Sequence, residues 1–78
     1  MDDEDWRPVT GYLGYYEVSD RGRVRSVDRQ LSNGRGMYLR KGRIMVPFIT
    51  PKGYRAYGLS RDGKYVVFLA HRLVYREF

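Results

Sequence analysis

No cysteine occurs anywhere in this chain of 78 residues. That excludes disulfides, a thiolate zinc site and a cysteine nucleophile. Histidine occurs once, at His71, which excludes a histidine metal cluster as well. No apolar run approaches the roughly 18 residues of a membrane span. The start of the chain, through Asp2, Asp3, Glu4 and Asp5, is acidic, whereas a secretory signal begins basic and continues apolar. Ser19, Ser26, Ser32 and Ser60 have no G-x-S-x-G elbow around them. The glycine-rich stretch "GRGMYLRKG" lacks the Gly-Lys-Ser/Thr ending of a phosphate loop. The acids outside the N-terminus are scattered, with no pair that reads as general acid and base. These absences argue against a self-sufficient enzyme and against any cofactor, and they point to a soluble protein of the cytoplasm.

What is present is aromatic and basic. A single small domain buries only about 60% of its unfolded surface, so eight Tyr, three Phe and one Trp must supply much of the packing. Lysine and arginine number 15 against nine acids, a net charge of +6. Four of those acids precede Trp6, so residues 6–78 carry 15 basic and 5 acidic residues, a net of +10. Twelve of the cations are arginine, which pairs bidentately with phosphate and guanine and stacks on planar groups. A basic body of this kind points to a polyanion, most often nucleic acid.

Along the chain, residues 1–5 read as a flexible, solvated acidic start, and Trp6 as a plug over one end of the core. Residues 15–19 and 23–27 form strands about an Asp20-Arg21-Gly22 turn. Their alternation buries Tyr16, Val18 and Val24 and places Arg23 and Arg25 together on the other face. Residues 32–36 form a turn or loop around Asn33-Gly34, followed by a short strand at 37–39. The basic stretch Arg40, Lys41, Gly42, Arg43 leads into an apolar strand at 44–46. Pro47 and Pro51 confine residues 48–50 to a sheet edge. A second hairpin runs through 54–59, reverses at residues 61–64 and returns through 65–69, with Asp62-Gly63 as its turn signal. The segments "YEVSDRGRVRSV" and "YGLSRDGKYVVF" share an order of strand, serine, turn and strand, a pattern on which short hairpins also converge. Ala70, Leu73, Val74 and Phe78 fall on one face of a terminal helix, which has no C-terminal capping residue. The predicted class is a β-rich α+β fold: small antiparallel sheets built from two β-hairpins, with one short C-terminal helix. His71 reads as a partly buried residue at the helix start, since no second ligand lies near it.

The stretch from Trp6 to Ser26, "W-x-P-V-x-G-Y-x-G-Y-Y-E-V-S-D-x-G-R-V-R-S", resembles the opening of a NUMOD-type nuclease-associated modular domain. "LRKGRIMVPFITPKGYRAYGLS" is similar to its continuation, and "AHRLVYREF" to the segment that leads into the HNH domain of phage and intron homing endonucleases. The resemblance implies a module at 6–69 that binds double-stranded DNA in the cytoplasm of a bacterial or phage-infected cell. It implies further that residues 70–78 lead toward an HNH domain. The Asn-His-x-Asp-Gly stretch that begins the family's metal site does not follow Phe78, so no cleavage is expected of this chain.

On this reading Arg23 and Arg25 are the first candidates for contacting DNA, because strand alternation fixes them on one face. Arg21 at a turn tip, and Arg40, Lys41 and Arg43 in the glycine-broken stretch, suit phosphates. Arg55, Arg61 and Lys64 give the second hairpin an equivalent edge. Tyr54, Tyr57 and Tyr65 read as packing residues ahead of base-stacking ones. A rival reading is a phage accessory or inhibitor protein that binds a protein partner through the same basic surface. RNA could be held by the same residues, and the helix face with Leu73, Val74 and Phe78 could pair with a second copy in a homodimer.

Overall fold

The computed structural model describes residues 4–32 and 34–78, which form three small antiparallel sheets and one helix. The first sheet contains β1 (Trp6–Pro8), β2 (Tyr16–Ser19) and β3 (Val24–Ser26) in that order. Val18 faces Val24 across β2 and β3, and both are fully buried. The second sheet is a lone hairpin of β4 (Arg29–Ser32) and β5 (Met37–Arg40). The third has β6 (Phe48–Ile49) at its edge, then β7 (Arg55–Arg61) and β8 (Lys64–Leu69), which runs directly into α1 (Ala70–Glu77). The predicted fold class is therefore observed, with a third hairpin, β4–β5, that the sequence reading did not pair. No helix among the described residues is long and apolar enough to cross a membrane.

The core lies between the first sheet, β7 and α1. It contains Val9, Val18, Val24, Tyr57, Leu59, Ala70 and Leu73, with Tyr12, Tyr16, Met45, Phe68 and Val74 packed around them. Each fully buried Val or Leu contributes about 1.5–3 kcal/mol of apolar transfer. Two polar contacts lock the first hairpin to this core. Ser19, itself fully buried, accepts from the backbone N–H groups of Arg21 and Arg23 at 3.1 Å each, and Gly22 takes the left-handed φ of 82° that the turn needs. Tyr57 donates its hydroxyl to the Gly22 carbonyl at 3.2 Å, joining the third sheet to the first turn. The second hairpin closes in two residues, Asp62 and Gly63, both at positive φ (53° and 77°), as the right-handed strand twist favours.

Several expectations change. Trp6 does not plug the core; it sits on β1 beneath two arginines. Residues 44–46 do not form a strand, since Ile44 makes one isolated bridge to Arg25. Met45 turns into the core while Val46 is 89% exposed, and Pro47 has no N–H with which to extend a ladder. His71 is exposed, its ring centroid 5.5 Å from that of Tyr54. Tyr57 packs as expected, whereas Tyr54 and Tyr65 stay largely exposed. Of the acidic start, Met1, Asp2 and Asp3 lie outside the described residues, but Glu4 and Asp5 are bonded into the fold: Asp5 exchanges hydrogen bonds with Asp20. The helix face offered for a homodimer is used within the chain, because Ala70 and Leu73 are buried in its own core. At the far end, Glu77 accepts from the Thr10 amide (2.8 Å) and hydroxyl (3.0 Å), while Arg7 donates to the Glu77 carbonyl at 2.7 Å.

Candidate nucleic-acid interface

Seven of the nine candidate cations fall into three environments, while Arg61 and Lys64 face each other at the tip of the second hairpin. Arg23 and Arg25 do share a face, as alternation required, and both guanidinium groups lie over the Trp6 ring, at 5.9 and 4.1 Å from its centre. Their charge is already balanced there. Arg23 forks onto both carboxylate oxygens of Glu4, and Arg25 donates to Glu17 at 2.6 and 2.8 Å. The hydrogen bond from Arg23, joined by one from the Ser19 hydroxyl, holds the Glu4 carboxyl down at about 2. Glu4 in turn raises the pKa of Arg23.

The second environment is a concavity of about 500 Å³ beside the lone hairpin, lined by Arg29, Arg40, Lys41 and Arg43 with Tyr15, Tyr16, Ser26, Val27 and Ser60. Arg29 and Arg40 are a cross-strand pair on the side of the hairpin that faces the concavity. Tyr15 forms part of the wall, with Arg29 4.4 Å and Arg61 5.5 Å from its ring centre. Arg61 also donates to the Gly11 carbonyl and pairs with Asp62 at 3.4 Å. Arg40, Lys41 and Arg43 have no ion pair among the described residues, and the same holds for Arg55 and Lys64. Residues 29–43 contain five cations and no acid, so nothing within this stretch offsets its potential.

Backbone placement explains how the 40–43 stretch is held. The Gly42 N–H donates to the Asp28 carboxylate at 2.6 Å, and the Arg43 N–H to the Ser26 hydroxyl at 3.0 Å. Ser26 returns its own N–H to the Arg43 carbonyl at 2.9 Å. A β-carbon at position 42 would stand 2.0 Å from the Ser26 carbonyl oxygen, so only glycine permits this approach.

The third environment, about 380 Å³, lies at the other end of β7, where Arg21 and Arg55 meet His71, Asp20, Gly22, Ala70 and Val74. Lys64 stands opposite Arg61 at the tip of the second hairpin. Arg29 and Tyr15 were absent from the sequence-based candidates. The register Arg29↔Arg40 could have found Arg29, had residues 29–32 been recognised as the partner of residues 37–40. Among the described residues no cluster of three His, Cys, Asp or Glu side chains could hold a metal ion.

Residues 4–60 match the NUMOD4 motif. The DNA endonuclease I-HmuI of Bacillus phage SP01 is 32% identical over 74 residues, covering 95% of this chain and 36% of the relative. The solved structure of DNA binding and cleavage by the HNH homing endonuclease I-HmuI matches with a TM-score of 0.72, over the same 95% and 36%. This chain thus spans about a third of the length of the relative it resembles.

Proposed function

The chain belongs to the NUMOD4 motif family, and from that premise we propose that it is a double-stranded DNA-binding module of an HNH homing-endonuclease-like phage protein. It holds DNA and does not itself cleave it. The observation that carries this reading is the acid-free stretch 29–43, which gathers Arg29, Arg40, Lys41 and Arg43 around one concavity. Unpaired cations can neutralise phosphates and release condensed counterions without first breaking an internal ion pair.

Two features support a duplex. The lone hairpin is a two-stranded ribbon, a shape that docks in a duplex groove, major or minor. The two basic concavities are reached from opposite ends of β7, at Ser60 and Arg55. Five residues of strand separate them by about 17 Å, more than one groove width, so both backbones of a duplex lie within reach. In this assignment Arg40, Lys41 and Arg43 are the principal phosphate contacts, with Arg21, Arg55, Arg61 and Lys64 at the flanks. Arg23 and Arg25 take a smaller part, because Glu4 and Glu17 already hold them.

The test compares two variants on one labelled duplex. Arg40→Ala/Lys41→Ala/Arg43→Ala should flatten the log–log salt slope by about 2.7, since each neutralised phosphate contributes about 0.9. Arg23→Ala/Arg25→Ala should change it by less than about one contact's worth. The reverse ranking would move the interface to the Trp6 face.

A further inference from the structure

The hairpin of β4 and β5 has two chemically different sides. Register places Arg29, Leu31, Tyr38 and Arg40 on one side, and the two arginines line the basic concavity. Gln30, Ser32, Met37 and Leu39 share the other, because side chains two apart on a strand point the same way. That side carries no charge. Met37 is 65% exposed and Leu39 52% exposed, and neither belongs to the core. Two apart on β5, they form one apolar surface that a partner can cover.

Charge identifies the partner. The segment that presents Met37 and Leu39 contains five cations and no acid, so its charge favours a polyanion. A polyanionic duplex offers apolar surface in the stacked faces of its base pairs and, in the major groove, at thymine methyl groups. In proteins that bind the minor groove, apolar side chains enter such stacks as wedges, partly unstacking one step and kinking the helix. Resting on the duplex-binding reading above, we propose that Met37 and Leu39 form an apolar wedge that opens a base step and bends the bound DNA. The basic side of the arm, with Arg29 and Arg40, secures the adjacent backbone, while Gln30 and Ser32 supply hydrogen-bonding groups beside the opened step. The module is then a DNA-deforming element as well as an anchor.

A wedge favours sites where unstacking is already cheap, and a mismatched base pair is such a site. Two labelled duplexes of identical sequence, differing only in a central T·T mismatch, are titrated with the whole chain at one salt concentration. Wild type should bind the mismatched duplex on the order of tenfold more tightly, since opening an intact step costs a few kcal/mol. It should also bring fluorophores at the two ends of the intact duplex closer together. Met37→Ala/Leu39→Ala, checked for folding by circular dichroism, should bind both duplexes alike, whereas Met37→Leu should keep the preference. Equal affinity of wild type for the two duplexes overturns the wedge and leaves the DNA-binding reading standing. So does a preference retained in full by the double alanine variant. No binding to either duplex overturns both.

Discussion

Replacing Gly42 by alanine tests how the basic stretch is built. The added methyl carbon would stand 2.0 Å from the Ser26 carbonyl oxygen, 2.7 Å from the Ser26 carbonyl carbon and 2.8 Å from that of Val27. All three obstacles are backbone atoms, so no side-chain rotation relieves the overlap, and residue 42 must retreat by roughly 1 Å or more to reach ordinary contact. That retreat breaks the Gly42 N–H bond to Asp28 (2.6 Å), the Arg43 N–H bond to the Ser26 hydroxyl (3.0 Å) and the Ser26 N–H bond to the Arg43 carbonyl (2.9 Å). At about 1 kcal/mol each, the loss is about 3 kcal/mol, a large share of the stability of so small a domain. In thermal denaturation this corresponds to a fall in Tm on the order of 15 °C. The variant should also bind DNA less tightly at a temperature where it remains folded, because Arg40, Lys41 and Arg43 move with the backbone. Gly36→Ala is not an equivalent control, since Gly36 adopts a φ of 147°. The comparison is Ser26→Ala, which removes one hydroxyl and should lose about 1 kcal/mol. A Gly42→Ala protein within about 0.5 kcal/mol of wild type would refute the close packing of residue 42 on β3.

Tyr57→Phe removes the bond from the Tyr57 hydroxyl to Gly22 and leaves the ring in the core; urea unfolding should show a loss of about 1 kcal/mol with an unchanged m-value. Leu59→Ala empties a fully buried site and should lose about 2–5 kcal/mol in the same assay. Acid stability follows from two depressed carboxyls. Glu4 lies at about 2 against an ordinary 4.5, chiefly through its bond from Arg23. Burial pushes Glu77 up, but its bonds from Thr10 and Arg76 outweigh that and leave it below the ordinary value. A carboxyl whose pKa is lower folded than unfolded binds its proton more readily in the unfolded chain. The contribution is therefore full above about pH 4.5 and is lost as pH falls toward 2. Glu4→Gln should flatten the fall in Tm between pH 5 and pH 2, and an unaltered profile would show that Glu4 is not held.

Much of the fold was legible because its signals are local. Asp62-Gly63 between alternating apolar residues specifies the second hairpin, and the Ala70, Leu73, Val74 spacing specifies the helix face. Residues 29–32 escaped because Arg-Gln-Leu-Ser has one apolar residue and no alternation; its strand exists through pairing with residues 37–40. Residues 44–46 misled in the opposite sense. Their continuous apolar run resembles a strand, but Met45 is recruited to the core and the ladder ends at a single bridge. For the candidate interface, the sequence placed Arg23 and Arg25 on one face correctly. It could not show that Glu4, 19 residues away, and Glu17, 8 residues away, would occupy them. Pairing of charges across a fold is a tertiary fact. The clustering of Arg40, Lys41 and Arg43 with Arg29 is tertiary in the same way.

The central claim is that Arg40, Lys41 and Arg43, which have no ion pair among the described residues, bind duplex DNA through its phosphates. Fluorescence anisotropy of a labelled random duplex, titrated with the protein from about 50 to about 200 mM salt, tests it most directly. Three phosphate contacts from Arg40, Lys41 and Arg43 alone predict a log–log slope near −2.7, or an affinity about 40-fold weaker at the higher salt. Any contribution from Arg29, Arg55 or Lys64 steepens it. A duplex that fails to bind at the lower salt, or binds with no salt dependence, would contradict the account.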